Sequence, residues 1–189
     1  MIKKRKRDIS FNTKKPPLII AEISANHCGS KSLFLKSIEV AAKSGADLIK
    51  IQTYDEEDMV VYKGFKIKSG LWKNKNLYNL YKKAKTPYSW HADAFKLANK
   101  KNIILFSTPF SEKAVDFLEQ FNPPLYKVAS FEITDFNLIN KIAKTKRPII
   151  ISTGLSNINE VKSAIKVIKK HHNKIVILHC VSGYPTPIE

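Results

Sequence analysis

Residues 48–58 read LIKIQTYDEED, and a lysine stands inside an apolar run. Leu48, Ile49 and Ile51 mark a buried strand, while Lys50 and Gln52 fall on one face of it by the period of two. Burying a lysine is costly unless it is paired or used. Either Lys50 snorkels out to water along its aliphatic stem, or the strand belongs to a sheet whose inner face carries chemistry.

Working outward from Lys50, the same unit recurs. PLIIAEIS (Pro17–Ser24) reads as a first strand, ADLIKIQ (Ala46–Gln52) as a second and NIILFSTPF (Asn102–Phe110) as a third. PLYKVAS (Pro124–Ser130), RPIIIST (Arg147–Thr153) and KIVILHC (Lys174–Cys180) complete six. Helical patterns separate them. Phe34, Ile38, Ala41 and Ala42 share one face before a stop at Gly45, and Trp90, Ala94, Leu97 and Ala98 share another. Ser111 caps a third main helix carrying Ala114, Val115 and Leu118. Leu138, Ile139, Ile142 and Ala143 form the next apolar face. Asn157 and Glu160 open the last helix as a box-like start, followed by Val161, Ala164, Ile165 and Ile168. A long insertion, Thr53–Pro87, holds the short helix Asn76–Ala84. Six βα steps with mostly short links predict α/β architecture with a parallel sheet.

Two closures compete, a doubly wound open sheet and a (β/α)₈ barrel. The first turn, SANHCGS, has only Gly29 and lacks a dinucleotide fingerprint. Polar residues gather at every strand's C-terminal end: Glu22 and Ser24, Lys50 and Gln52, Ser107 and Thr108, Lys127 and Ser130, Ser152 and Thr153, Ser182 with Tyr184. A doubly wound sheet concentrates its site at one switch point, so residues from all six strands favour the TIM barrel. Such a barrel needs eight strands and about 250 residues. The chain has 189 residues and six strand patterns. An incomplete barrel is therefore expected, with residues 1–16 as a basic segment, 17–189 as the N-terminal portion of the barrel, and two unpaired edges beside uncovered apolar faces.

Composition narrows the functional class. Hydrophobic residues make up 43% and charged residues 26%, values of an ordinary globular domain. No apolar run is long enough to span a bilayer and no secretory pattern is visible, so a cytoplasmic setting is expected. Cys28 and Cys180 form no metal pattern. Lys+Arg is 33 against Asp+Glu 16, a formal net charge of +17. The run KKRKR (Lys3–Arg7) would serve a nucleic-acid arm, but only Arg5, Arg7 and Arg147 are arginines and the lysines spread over every helix. No nucleic-acid partner is expected; the positive field suits a small anion.

Lys50 and Lys127, inward on different strands, join Thr108, Ser130 and Ser152 in a nest of donors for a phosphate and a carboxylate. Glu22, read as the only acid at the strand ends, would act as a base or orient water. Against these stand plainer readings. Thr153 and Ser111 read as helix caps and His27 as structural. His91, His171 and His172 read as solvated on helix surfaces, and His179 as a core histidine. Trp72, Tyr78, Tyr81 and Trp90 read as packing the insertion onto the barrel.

IAEISANHCGS, AAKSGADLIKIQTY, FSTPF, YKVAS, ISTG and HCVSGYPTPIE, in this order, resemble the sialic acid synthase family from about Leu18 to Glu189. IKSGLWKNKNLYNLYKKAKTPYSWH (Ile67–His91) is most similar to its pseudaminic branch. The resemblance implies condensation of phosphoenolpyruvate with an N-acetylated amino sugar, here 2,4-diacetamido-2,4,6-trideoxy-altrose, with loss of phosphate. The N-acetylneuraminate and legionaminate branches are alternatives, as is an inactive truncated chain. It also implies that Lys50, Thr108, Lys127, Ser130, Ser152 and Ser182 hold phosphoenolpyruvate with Gln52 beside it. Glu22 would handle water or a proton, and Tyr184 would meet the sugar. Ser182 departs from the asparagine common at that place in the neuraminic enzymes. The family uses manganese or magnesium, held by two histidines near the seventh and eighth strands, and no metal ligand is expected among these residues. It is homodimeric, with a C-terminal antifreeze-like domain that this sequence does not contain, so a partner supplying further strands is expected. A Schiff-base aldolase on Lys50 or Lys127 and a basic nucleic-acid-binding protein are the competing functions.

Overall fold

Six parallel strands pair in strict chain order in the computed structural model, which describes residues 14, 16–183, 186 and 188. The order β1-β2-β3-β4-β5-β6 has no reversal, hence no switch point, and the sheet curls into a half-barrel. That decides between the two closures in favour of the barrel. The strands are β1 (Ile20–Glu22), β2 (Leu48–Thr53), β3 (Ile104–Pro109), β4 (Tyr126–Val128), β5 (Ile149–Ser152) and β6 (Ile175–Leu178). The helices are α1 (Lys31–Lys43), α2 (Glu56–Met59), α3 (Leu77–Ala84), α4 (Tyr88–Lys100), α5 (Glu112–Glu119), α6 (Phe136–Lys144) and α7 (Ile158–Lys169). The basic run Lys3–Arg7 and Tyr184 lie outside the described residues.

Local chemistry sets the element ends. Ser30, Asn76, Ser111, Asp135 and Asn157 accept backbone N–H bonds at the starts of α1, α3, α5, α6 and α7. Asn157 and Glu160 form a reciprocal capping box. Thr153, by contrast, caps nothing: its hydroxyl donates to the Leu178 carbonyl at 2.9 Å, tying β5 to β6. Gly45, Asn102, Asn122 and Lys146, just beyond α1, α4, α5 and α6, all take positive φ, the usual way of turning off a helix.

The period of two sorts each strand onto two faces. Outward, Ile49, Ile51, Leu105, Tyr126, Val128, Ile149 and Ile151 join Phe34, Ile38, Ala94, Leu118, Ile139 and Ile168 of the helices in the main core. Inward, Leu48, Phe106, Leu125 and Ile150 make a second buried cluster flanked by Ile20, Ile104 and Val176. This inner cluster is an apolar floor, and the polar residues stand one layer above it. Layering of this kind is what fills a small barrel. At the two edges, β1 and β6 each have one neighbour among the described residues, and Ile177 is half exposed.

His91 corrects its sequence reading. It is fully buried on the face of α4 that also carries Ala94, Phe95 and Ala98. Its Nδ1 lies 3.1 Å from the Pro87 carbonyl, which can only accept, so Nδ1 carries the proton. Nε2 then accepts from the Thr53 hydroxyl at 2.8 Å, and Thr53 meets Ser107 at 2.6 Å. Burial pushes the imidazole down to about 4, so it stays neutral. Ser107 therefore serves the outer layer and not the site. His179 is exposed beyond the end of β6, not in the core, and Trp72 is 53% exposed rather than packed. His27 is fully buried, with ring centroids 5.8 Å from Phe34 and 5.4 Å from Trp90, so it packs the first loop against α1 and α4.

Below the floor, Arg147 grips Glu119 through Nε at 2.9 Å and Nη2 at 3.2 Å, and the Tyr126 hydroxyl donates to Glu119 at 2.6 Å. Burial alone would raise the Glu119 carboxyl, but Arg147 and Tyr126 outweigh it and hold it below its usual 4.5. A depressed carboxylate contributes stability above its unfolded pKa and loses it as pH falls through the folded one. Glu119→Gln is expected to lower the melting temperature at pH 7 and to leave melting less sensitive to acid below about pH 4.5. Thermal melts across pH check both.

Candidate active site

Glu22 pairs across from Lys50, and Gln52 across from Thr108 two residues further along, so neighbouring strands present these side chains on one inner face in two successive rows. Lys50 ion-pairs with Glu22 and donates to the Thr108 hydroxyl at 3.1 Å. Its side chain is only 15% exposed, so it does not snorkel. Ser24 donates to Gln52 Oε1 at 3.5 Å, extending the group toward the first loop.

Lys127 forms the second centre. It is buried, and donates to the Ser152 hydroxyl at 2.5 Å and to the Val128 carbonyl at 2.6 Å. Burial pushes its ammonium down to about 8, and the like charge of Lys50 adds to the shift. The two lysines thus feel each other across the half-barrel. Ser130 accepts from the Gly154 N–H at 3.2 Å, and a Cβ built on Gly154 would lie 2.9 Å from Ser130 Oγ and overlap Ser182 Oγ. Glycine keeps that gap open.

Two residues were missed by the sequence reading. Glu132 sits in the 3-10 turn Phe131–Thr134 after β4, so Glu22 is not the only acid near the strand ends. One of its oxygens, Oε2, is buried without a hydrogen-bond partner. Burial raises its carboxyl, against an opposing pull from Lys127. Cys180 is the other. Burial raises its thiol, but the polar groups of Ser152, Thr153, Ser130 and Gly154 beside it outweigh this and lower it, and its Sγ donates to the Leu178 carbonyl at 3.8 Å.

The loops that carry these groups are strained. Ser24, Leu155 and Ser182 adopt positive φ without being glycine, after β1, β5 and β6. Such outliers concentrate where a site needs them. Among the described residues no group of three or more His, Cys, Asp and Glu could hold a metal ion. The residues present thus do not fit a metal centre, and no step is routed through one.

A curled parallel sheet with cations and hydroxyls at its C-terminal rim, above an apolar floor, is the arrangement in which barrel proteins build their sites. The chain belongs to the NeuB family, whose model matches residues 37–189. It is 47% identical over 184 residues to a pseudaminic acid synthase of Campylobacter jejuni, covering 95% of this chain and 54% of that protein. An N,N'-diacetyllegionaminic acid synthase of the same species is 36% identical, covering 92% of this chain and 54% of that protein. The N-acetylneuraminic acid (sialic acid) synthetase of Leptospira borgpetersenii, solved with citrate, superposes with a TM-score of 0.80 at 31% identity. That match covers 92% of this chain and 57% of the solved one. The chain spans about half the length of the curated relatives it matches. No helix among the described residues is long and apolar enough to cross a membrane.

Proposed function

We propose that this chain provides the phosphoenolpyruvate-binding part of a nonulosonic acid synthase of the pseudaminic branch. One observation carries the reading: two cations from separate strands, Lys50 and Lys127, stand in one polar layer with Thr108 and Ser152 as partners. The identity to pseudaminic acid synthases selects the branch.

In this reading the lysines take the phosphate and carboxylate of phosphoenolpyruvate. Ser130, Ser152, Ser182 and the Gly154 N–H complete the cradle. The enol carbon C3 bonds to the aldehyde carbon of the open-chain sugar, whose oxygen takes up a proton. Water adds at C2, and the C–O bond to phosphate breaks, leaving a 2-keto acid and inorganic phosphate. Glu22, ion-paired to Lys50, is ionised and accepts a proton from that water; Gln52 lies beside it. Tyr184 is assigned to the sugar by resemblance alone.

Calorimetric titration of the chain with phosphoenolpyruvate is expected to saturate, and Lys50→Met to abolish that signal. In an assembly that supplies the rest of the site and its metal, phosphate release is expected with the diacetamido trideoxy sugar and not with N-acetylmannosamine. Release with N-acetylmannosamine instead would overturn the branch, and absence of phosphoenolpyruvate binding would overturn the assignment. A Schiff-base reading draws on the lowered Lys127 ammonium, since a neutral amine is the nucleophile. Borohydride trapping with pyruvate separates them: the synthase reading expects no covalent adduct.

A further inference from the structure

A second concavity lies outside the polar layer and shares no residue with it. It is a cleft of about 510 Å³ between the β1–α1 loop and the end of the insertion, lined by Cys28, Gly29, Lys82, Lys83, Lys85, Pro87 and Trp90. Its volume is that of a small-molecule site. Three of the seven lining residues are lysines and none is acidic, so its field is positive. Lys85 is committed to Asp55 at 3.0 Å and Glu56 at 2.5 Å. Lys82 and Lys83, in the last turn of α3, have no ion-pair partner among the described residues. Trp90 is held by His27 and by Phe34, 5.7 Å away, so its indole is fixed before anything binds. Cys28 is exposed, with a left-handed backbone at φ 49°, and Gly29 follows at φ 75° with nothing within 4 Å of the place a Cβ would occupy.

We propose that this cleft binds a nucleoside phosphate. A fixed half-buried indole offers a face to a planar base. Lysines act toward phosphate as point charges, and here two are uncommitted. Lining that combines lysine stems and heads with an aromatic ring matches a ligand that carries both a flat apolar part and an anionic one. The assignment stands independently of what the polar layer does.

The chain has two tryptophans, so Trp72→Phe leaves Trp90 as the only indole reporter. Trp72 is more than half exposed, so its replacement is expected to leave the fold intact. In that background, adenosine and uridine 5′-monophosphates are expected to change Trp90 emission saturably. They are also expected to slow alkylation of Cys28 while leaving Cys180 unaffected. Lys82→Gln with Lys83→Gln should weaken binding about tenfold or more, as loss of charge-assisted contacts does. Lys82 and Lys83 are both exposed, so circular dichroism of the double variant is expected to match the parent. No saturable change at millimolar nucleotide would overturn the proposal. Binding insensitive to the lysine pair would also overturn it, as would inorganic phosphate or a free nucleoside binding as tightly as the nucleotide.

Discussion

Lys127→Met is expected to weaken phosphoenolpyruvate binding roughly tenfold to a hundredfold, with the melting temperature unchanged or raised. The loss is that of a charged donor to an anionic ligand, about 1.5–3 kcal/mol. The gain is relief from holding a buried ammonium, replaced by an apolar chain of similar length. A purely structural lysine would behave the other way, losing stability along with affinity. The pH dependence adds a second signature. The Lys127 ammonium lies at about 8, below its usual 10.5. Between those values the unfolded chain holds the proton and the folded one releases it, so this group makes stability rise with pH across that window. Ligand affinity moves oppositely, falling as pH climbs past about 8 and the cation is lost. Calorimetry and melts at several pH values should show both trends in the wild type, and neither in the methionine variant.

Phe34→Ala is expected to cost about 3–5 kcal/mol, a large share of a domain's stability. Phe34 is fully buried, with Ile38 on the same face of α1, and its ring meets both His27 and Trp90. Truncation leaves a cavity where the first loop is pinned against α4, so His27 loses its packing partner as well. Urea unfolding measures the loss. Phe34→Leu keeps most of the volume and should recover at least half of it. Equal effects from both variants would mean that the aromatic contact, and not the filled space, holds the loop.

Much of the site was legible because two rules overlap on it. Period two places Lys50 with Gln52 on the inner face of β2, and βα topology brings strand ends together. Glu22, Thr108, Lys127 and Ser152 follow by the same reasoning and appear in the polar layer. The residues missed lie where neither rule applies. Glu132 sits in a short 3-10 turn with no repeating pattern, and Cys180 follows a strand that ends at Leu178. Ser107 and Thr108 are adjacent hydroxyls, and only parity shows that they serve opposite faces. His91 was placed in water because histidine on a helix is usually solvated, yet it stands three residues before Ala94 on the same buried face. Thr153 ends a strand, the usual place for a cap, yet the loop to α7 runs on to Asn157 before the helix starts.

The apolar floor beneath the polar layer bears on how such a protein diverges. Leu48, Phe106 and Ile150 each lie two residues before a group of the upper layer on the same strand, and Leu125, just ahead of β4, lies two before Lys127. Exchanging an upper side chain therefore leaves its lower neighbour and the strand pairing untouched. Selection can explore new ligands at the rim while the fold below stays under separate constraint. A one-residue slip in β2, on the other hand, would turn Lys50 into the helix layer and Ile51 toward the ligand, ending both roles at once. Descent within this architecture should record changes of ligand as substitutions at the strand ends, and insertion or deletion inside the strands almost never.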